Sequence, residues 1–328
     1  MPDVTKLLAA AFACALSQCA PEPAAVTTRK PLRIGIDLWA GYYPLVLADE
    51  LGYLRDANVE VDIVTPQNTD RMLAEFAARD FDAVCVSFAD VIVVTRAVPD
   101  LRIVLVSDES AGADQMLART AITGAGGLHA VATTRRPRIG TNLGGFGELF
   151  VRRFLTAQGV SMGDVEIVNT DAAKVPDLLE RGDIDIGHTW EPYASDARRR
   201  GMQAVFTSKE TPGLILDGMI FRGDTVNERS DEVRALVHAW FRAVEWWRQH
   251  PEAGDRRLEK RLNLLPGDAR PVGITILDAQ QNRTMMSGAA GPAPLATGLQ
   301  VFIDHFAARG LLLWRPDALA LLHPFTLP

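Results

Sequence analysis

The chain has 328 residues, 48% of them apolar and 23% charged, with 34 basic and 41 acidic residues and a net charge of −7. At roughly 150 residues per domain, that length suggests about two domains, each able to bury a core of its own. A disordered, collagen-like or disulfide-stapled chain is excluded, and the acidic balance speaks against a sequence-independent hold on nucleic acid, whose phosphates need a basic surface.

Residues 7–16, LLAAAFACAL, form an apolar run after Lys6 that is too short to span a bilayer but suits a signal h-region. It ends in Leu16-Ser17-Gln18-Cys19, followed by the Pro-rich spacer APEPAAVTT, which cannot form a core. This resembles a bacterial lipoprotein lipobox, and it implies a signal peptide over 1–18, lipidation of Cys19 and a flexible tether over 19–30. Gln18 departs from the Gly, Ala or Ser of that pattern. Cleavage near Ala13-Cys14-Ala15 would instead release a soluble periplasmic protein, and a cytosolic chain with an apolar N-terminus is the remaining alternative. Cys85, in the apolar stretch DAVCVS, is expected to be buried and inert.

From residue 31, short β-branched runs alternate with helical patterns, as in βαβ units. Strands are predicted over 32–38, 59–64, 82–87 and 101–107, with helices over 43–54, 69–80 and up to Pro99. After an irregular Gly-rich loop at 123–130, a second set follows. Its strands fall at 136–141, 165–169, 183–188 and 203–207, and its helices at 147–159 and 173–182. The stretch GLILDGMIF (213–221) is extended and long enough to cross between lobes. Beyond residue 224 strand patterns vanish. In 230–250 the spacing of Val233, Leu236, Val237, Trp240, Phe241, Val244 and Trp247 predicts one amphipathic helix with both tryptophans in the core. The layout is two α/β lobes, the first discontinuous (31–112 and 216–328) and the second inserted (113–215). A ligand cleft is expected between them at the strand ends.

Catalytic signatures are lacking: there is no nucleophile elbow, HExxH, P-loop or CxxC. His129, His188, His238, His250, His305 and His323 show no metal-like spacing, so neither a metal nor a cofactor is expected. The candidate binding residues stand where strands end. Trp39-Ala40-Gly41-Tyr42-Tyr43-Pro44 follows the first strand and offers three aromatics for stacking, with Gly41 permitting close approach. Core packing is the alternative for some of them. Ser87 and Asp90 end a third strand, although Asp90 also suits a helix cap. Asn142, Gly144 and Gly145 lie on a strand–loop–helix turn whose free N–H groups suit a ligand, or serve only the turn. Trp190, Glu191 and Tyr193 follow a strand of the second lobe, and Glu191 alternatively complements a helix dipole. Ser107 to Asp114 lies where the chain should cross between lobes, its acids being either solvated hinge residues or, for Asp114, a ligand contact.

The blocks LRIGIDLWAGYYPLVLADELGYL, LAEFAARDFDAVCVSFAD, RPRIGTNLGGFGELFVRRFLTAQGV and LLERGDIDIGHTWEPY, taken in order, resemble the nitrate/sulfonate/taurine family of substrate-binding proteins, including its thiamine-precursor binders. The resemblance covers most of 31–310 and implies a type II periplasmic binding fold. It places the family's aromatic loop on Trp39 to Tyr43, its Ser and Asp on Ser87 and Asp90, its Gly-rich helix start on Asn142 to Gly147, and its Trp-Glu-Pro-Tyr on Trp190 to Tyr193. Two features depart from it. Residues 119–138 lack the usual lysine-rich segment, and the Cys/His-rich patch of the pyrimidine-synthesising relatives is absent.

The expectation is therefore a monomeric, non-enzymatic solute-binding protein of an ABC importer. It would act in the periplasm or on the outer face of a bacterial membrane, presenting a small molecule to a permease and its ATPase. Because the expected lining holds acids and aromatics but no Arg or Lys, an amine-bearing or nitrogen-heterocyclic ligand is favoured over a sulfonate, taurine-like compound or oxyanion. A ligand-sensing module is a further alternative.

Overall fold

The first β-branched run closes into a strand over Leu32–Gly35 (β1), which pairs in parallel with Val61–Val64 (β2) and with Ala83–Ser87 (β3). The structure, a computed structural model, describes residues 30–119, 122, 127–143, 145–287 and 293–325. The expected signal segment, tether, Cys19 and Gly144 lie outside the described residues.

Helices Tyr43–Glu50 (α1), Tyr53–Asp56 (α2), Thr69–Ala77 (α3) and Phe88–Val94 (α4) connect these strands. The single helix predicted over 43–54 is broken because Gly52 adopts φ 76°, a left-handed conformation that stops one helix and starts the next. Asn68 caps α3 by accepting the Arg71 N–H at 2.9 Å, and Ser87 caps α4 through the Asp90 N–H at 3.3 Å. The next strand, Arg102–Ser110 (β4), runs past the predicted end at 107 and carries Asp108 into the core.

The chain then enters a second sheet at Gln115–Ala118 (β5), a strand the sequence pattern did not reveal. Gly127–Ala132 (α5), which replaces the end of the predicted loop, precedes Arg138–Thr141 (β6), Phe146–Ala157 (α6), Glu166–Asn169 (β7) and Val175–Arg181 (α7). Ile186–Thr189 (β8), Tyr193–Arg199 (α8) and Gln203–Thr207 (β9) complete this half. Leu216–Phe221 (β10) returns to the first sheet, antiparallel to both β3 and β4.

Helices follow at Gly223–Glu228 (α9), Ser230–Gln249 (α10) and Pro251–Leu262 (α11), with Trp240 and Trp247 buried on the inner face of α10. Strands do not vanish, however. Ile274–Ile276 (β11) pairs with the end of β4 before Ala279–Met286 (α12) and Pro294–Ala308 (α13). The final sheets are ordered β11-β4-β10-β3-β1-β2 and β7-β6-β8-β5-β9.

Two strands of chain cross between the sheets, and they are bonded to each other. Ser110 Oγ lies 2.8 Å from Ser208 Oγ, which also accepts the Gly112 N–H at 2.6 Å, and the Ser208 N–H donates to the Asp114 carbonyl at 3.0 Å. Gly273 supports the crossing with its carbonyl, which accepts from Ala111 and Ala113. Its φ of 71° and an approach to the Ala113 nitrogen leave no room there for a side chain.

Candidate functional site

The carboxyl ends of β1, β3, β6 and β8 converge on one cavity of about 60 Å³ between the two sheets. That is where open α/β sheets place ligands. Trp39, Tyr42, Trp190 and Phe146 supply its aromatic walls. Its acids are Asp37, Asp90, Asp114 and Asp217, and among the described residues no Arg or Lys lines it.

The aromatics are fixed by acids beneath them. Trp39 Nε1 donates to Asp108 Oδ1 at 3.0 Å, and Ser107 Oγ donates to the other oxygen at 2.7 Å. Tyr42 donates its hydroxyl to Asp217 Oδ2 at 2.7 Å. Asp108 is 0% exposed, not a solvated hinge residue, because β4 extends through it. Gly41 does permit a close approach, but by Asp108: an added Cβ would collide with that carboxylate. Asp108 and Asp217 face each other in register across β4 and β10, and Asp217 also opposes Ser87 on β3.

Burial, with few compensating donors, pushes these carboxyls up. Asp108 rises to about 7, its bonds from Ser107 and Trp39 opposing the shift. Asp217 is raised by burial and then by the neighbouring Asp108. Asp37, bonded by Thr69 Oγ1 at 2.6 Å, is raised to about 6, again chiefly by burial. Asp217 Oδ1 is buried with no hydrogen-bond partner. A buried polar oxygen left bare in a cavity wall is a demand for a hydrogen-bonding partner.

Asp90 ties the two halves together. Its Oδ2 accepts from Ser87 Oγ at 2.7 Å and its Oδ1 from the Phe146 N–H at 3.4 Å, so a carboxylate of the first half caps the N-terminus of α6 in the second. Gly145 is needed at this point because a Cβ there would strike Asp90 Oδ1. Asn142 makes a second such contact, its Nδ2 lying 3.5 Å from Asp70 Oδ1. Asp114 is bonded to His188 Nε2 at 3.2 Å, and His188 Nδ1 lies 3.3 Å from Thr141 Oγ1. Trp190, from the second half, packs on the apolar core of the first.

Four expected site residues do not line the cavity, Gly145 among them, since it packs against Asp90. Tyr43 is 0% exposed in the core, because α1 turns it away from the wall that Trp39 and Tyr42 form. Glu191 follows its alternative reading: Oε2 accepts the Ser195 N–H at 3.0 Å and Oε1 pairs with Arg198 at 2.7 Å, so both oxygens are used within α8. Tyr193 opens that same helix and is absent from the lining. Conversely, Asp37, Thr69 and Asp217 line the cavity without a sequence expectation, and Phe146 joins it from within the expected Asn142–Gly147 stretch. Asp217 had a signal: it is the one charged residue in the apolar run GLILDGMIF.

Two α/β lobes joined by crossing strands, with a cavity at their strand ends, define a type II periplasmic binding fold. Residues 26–259 match the model of the NMT1-like family, and the chain belongs to that family. This agrees with the resemblance carried by the sequence blocks. No curated protein sequence matches it significantly. Among solved structures it is similar to the alkanesulfonate-binding protein SsuA from Xanthomonas axonopodis pv. citri bound to MOPS. That match has 18% identity and a TM-score of 0.71 over 90% of this chain and 99% of that one. It is likewise similar to the periplasmic nitrate-binding protein NrtA from Synechocystis PCC 6803, with 16% identity and a TM-score of 0.70 over 89% and 84%. The desulfurization enzyme DSZB has the same fold, with 18% identity and a TM-score of 0.65 over 90% and 97%. Binding proteins and an enzyme thus share this architecture, so function has to be argued from the site.

Proposed function

We propose that this protein is an extracytoplasmic solute-binding protein of an ABC importer, with lobes 31–112 plus 216–328 and 113–215 closing on a small cationic molecule. The observation that carries the ligand class is the lining: four carboxylates, four aromatic rings, no Arg or Lys, and a bare buried oxygen on Asp217. A positive nitrogen supplies what that oxygen lacks, and the rings of Trp39 and Trp190 attract it by cation–π interaction.

The geometry disfavours the sulfonate or oxyanion reading at this site. An anion would rely on backbone amides and hydroxyls, and here the Phe146 N–H and the hydroxyls of Tyr42, Thr69 and Ser87 already donate to acids. It would also be placed among four acids with no basic side chain in the lining to balance it.

In this reading the lobes hinge, and the ligand shifts the population toward closure by touching both. The permease and ATPase that would receive the ligand, the periplasmic location and the Cys19 anchor belong to the same proposal. The test is a thermal-shift screen of the purified protein against amines, nitrogen heterocycles, sulfonates and oxyanions, followed by calorimetry. Stabilisation by amines or cationic heterocycles is expected. Stabilisation by sulfonates or oxyanions alone overturns the ligand class, and turnover of a bound compound overturns the binding role.

A further inference from the structure

Asp217 and Asp37 stand at two ends of the first sheet's part of the cavity wall, and each leaves acceptor capacity unused. At one end, Asp217 carries the buried, unpartnered Oδ1, with its other oxygen held by Tyr42. At the other, Asp37 uses only Oδ2, toward Thr69. Asp90 lies between them, with both oxygens already bonded within the protein.

The sheet sets the spacing of the two ends. Asp217 lies on β10 and Asp37 just beyond β1, with β3 between these strands. Two inter-strand steps place the backbones roughly 10 Å apart. Backbones at that spacing favour a ligand with two nitrogens over a single ammonium. An ammonium hydrogen-bonded to either carboxylate at about 2.8 Å would leave the other unmet.

We infer that the ligand is two-centred: a short aliphatic diamine whose one ammonium meets Asp217 Oδ1 and whose other meets Asp37, with the connecting carbons between the rings of Trp39 and Trp190. This rests on the cationic reading of the site and deepens it. Charge supports a dication over a monocation. Four acids line the cavity, Asp108 holds Trp39 in its wall, and the imidazole of His188 is hydrogen-bonded to Asp114. Burial raises both carboxyls, Asp37 to about 6, so a dication that favours their ionised forms would displace protons as it binds near that pH. The cavity, at about 60 Å³, suits a small unbranched chain.

The test is calorimetry on the purified protein with a series from ethylenediamine to 1,5-diaminopentane, set against propylamine, guanidine and taurine. One of the shorter diamines is expected to bind at least about tenfold tighter than propylamine, the scale of one added charge-assisted hydrogen bond. Its binding should release protons, read from the dependence of the heat on buffer ionisation enthalpy. Asp37→Asn is expected to narrow the diamine-to-propylamine ratio to within about threefold, and Asp217→Asn to weaken both amines. The comparison in the unaltered protein needs no variant, so a variant that misfolds leaves the result intact. Equal affinity for propylamine, guanidine and the diamines overturns the two-centred ligand while leaving the cationic reading in place. Binding of taurine alone overturns both.

Discussion

Tyr42 and Asp217, separated by 175 positions in the chain, are joined by a 2.7 Å hydrogen bond in the wall of the cavity. The bond links the loop after β1 to β10 and leaves the other Asp217 oxygen bare. Tyr42→Phe removes the donor and leaves a buried carboxyl with no partner. The expected cost is about 1–3 kcal/mol in urea unfolding. Asp217→Asn in the Phe background should recover part of it, because the amide is neutral whatever the pH. A Tyr42→Phe variant as stable as the parent would show that the bond contributes nothing.

The raised acids make stability depend on pH in a definite direction. Asp37 and Asp108 move from the ordinary 3.8 to about 6 and about 7 in the folded chain. The folded state then binds more protons than the unfolded one between these values. The contribution is intact below pH 3.8 and is lost as pH rises through about 6 and about 7, amounting to a few kcal/mol in order of magnitude. Urea midpoints of the ligand-free protein, taken from pH 4.5 to 8, should fall across that window. Asp108→Asn should flatten the upper part of the slope. A rising or level profile contradicts the assignment.

Much of the site was legible because strand ends can be read from pattern alone. Ser87, Asp90, Asn142 and Trp190 each follow a β-branched run, and the sheets bring them to one cavity. What sequence could not show was which neighbour of each faces inward. Tyr43 follows Tyr42 directly and enters the core, and Glu191 follows Trp190 and bonds to Arg198. Asp37 was hidden inside a run read as strand, and Asp108 inside a segment read as hinge. Strand β5, the four residues QMLA, is buried on both faces and so shows no alternation. Strand β11 has only three residues and is held by its place beside β4.

Gly41 is expected to be intolerant of any side chain. A Cβ there would collide with the Asp108 carboxylate, which Trp39 and Ser107 hold from both sides. Gly41→Ala must displace Asp108 or Trp39, and overpacking of this kind costs about 1–3 kcal/mol. It should also lower ligand affinity, since Trp39 is a cavity wall. A melting curve and a titration of the same variant check both effects.

Glu191 should separate stability from binding. Glu191→Ala removes the bond to the Ser195 N–H and the ion pair with Arg198, with an expected stability loss of about 1–2 kcal/mol. Because Glu191 does not line the cavity, amine affinity should stay within about twofold, while Trp190→Ala should lose far more through the missing ring. A tenfold loss in Glu191→Ala, well above that limit, would return Glu191 to the binding set.

Asp90 offers the means to test closure. Its carboxylate accepts the Phe146 N–H across the cleft, and Asn142 reaches Asp70 in the same direction. Asp90→Ala removes the first of these ties and leaves the first amide of α6 without its acceptor. The lobes of the ligand-free protein should then spend more time apart, which small-angle scattering reads as a larger radius of gyration. Ligand must then supply the closing energy itself, so affinity should fall in proportion to the lost closed population. Asp90→Asn keeps an oxygen that can accept the same N–H, so its scattering curve should stay near the parent's. Equal expansion in both variants would mean that the charge of Asp90, and not this hydrogen bond, holds the lobes together.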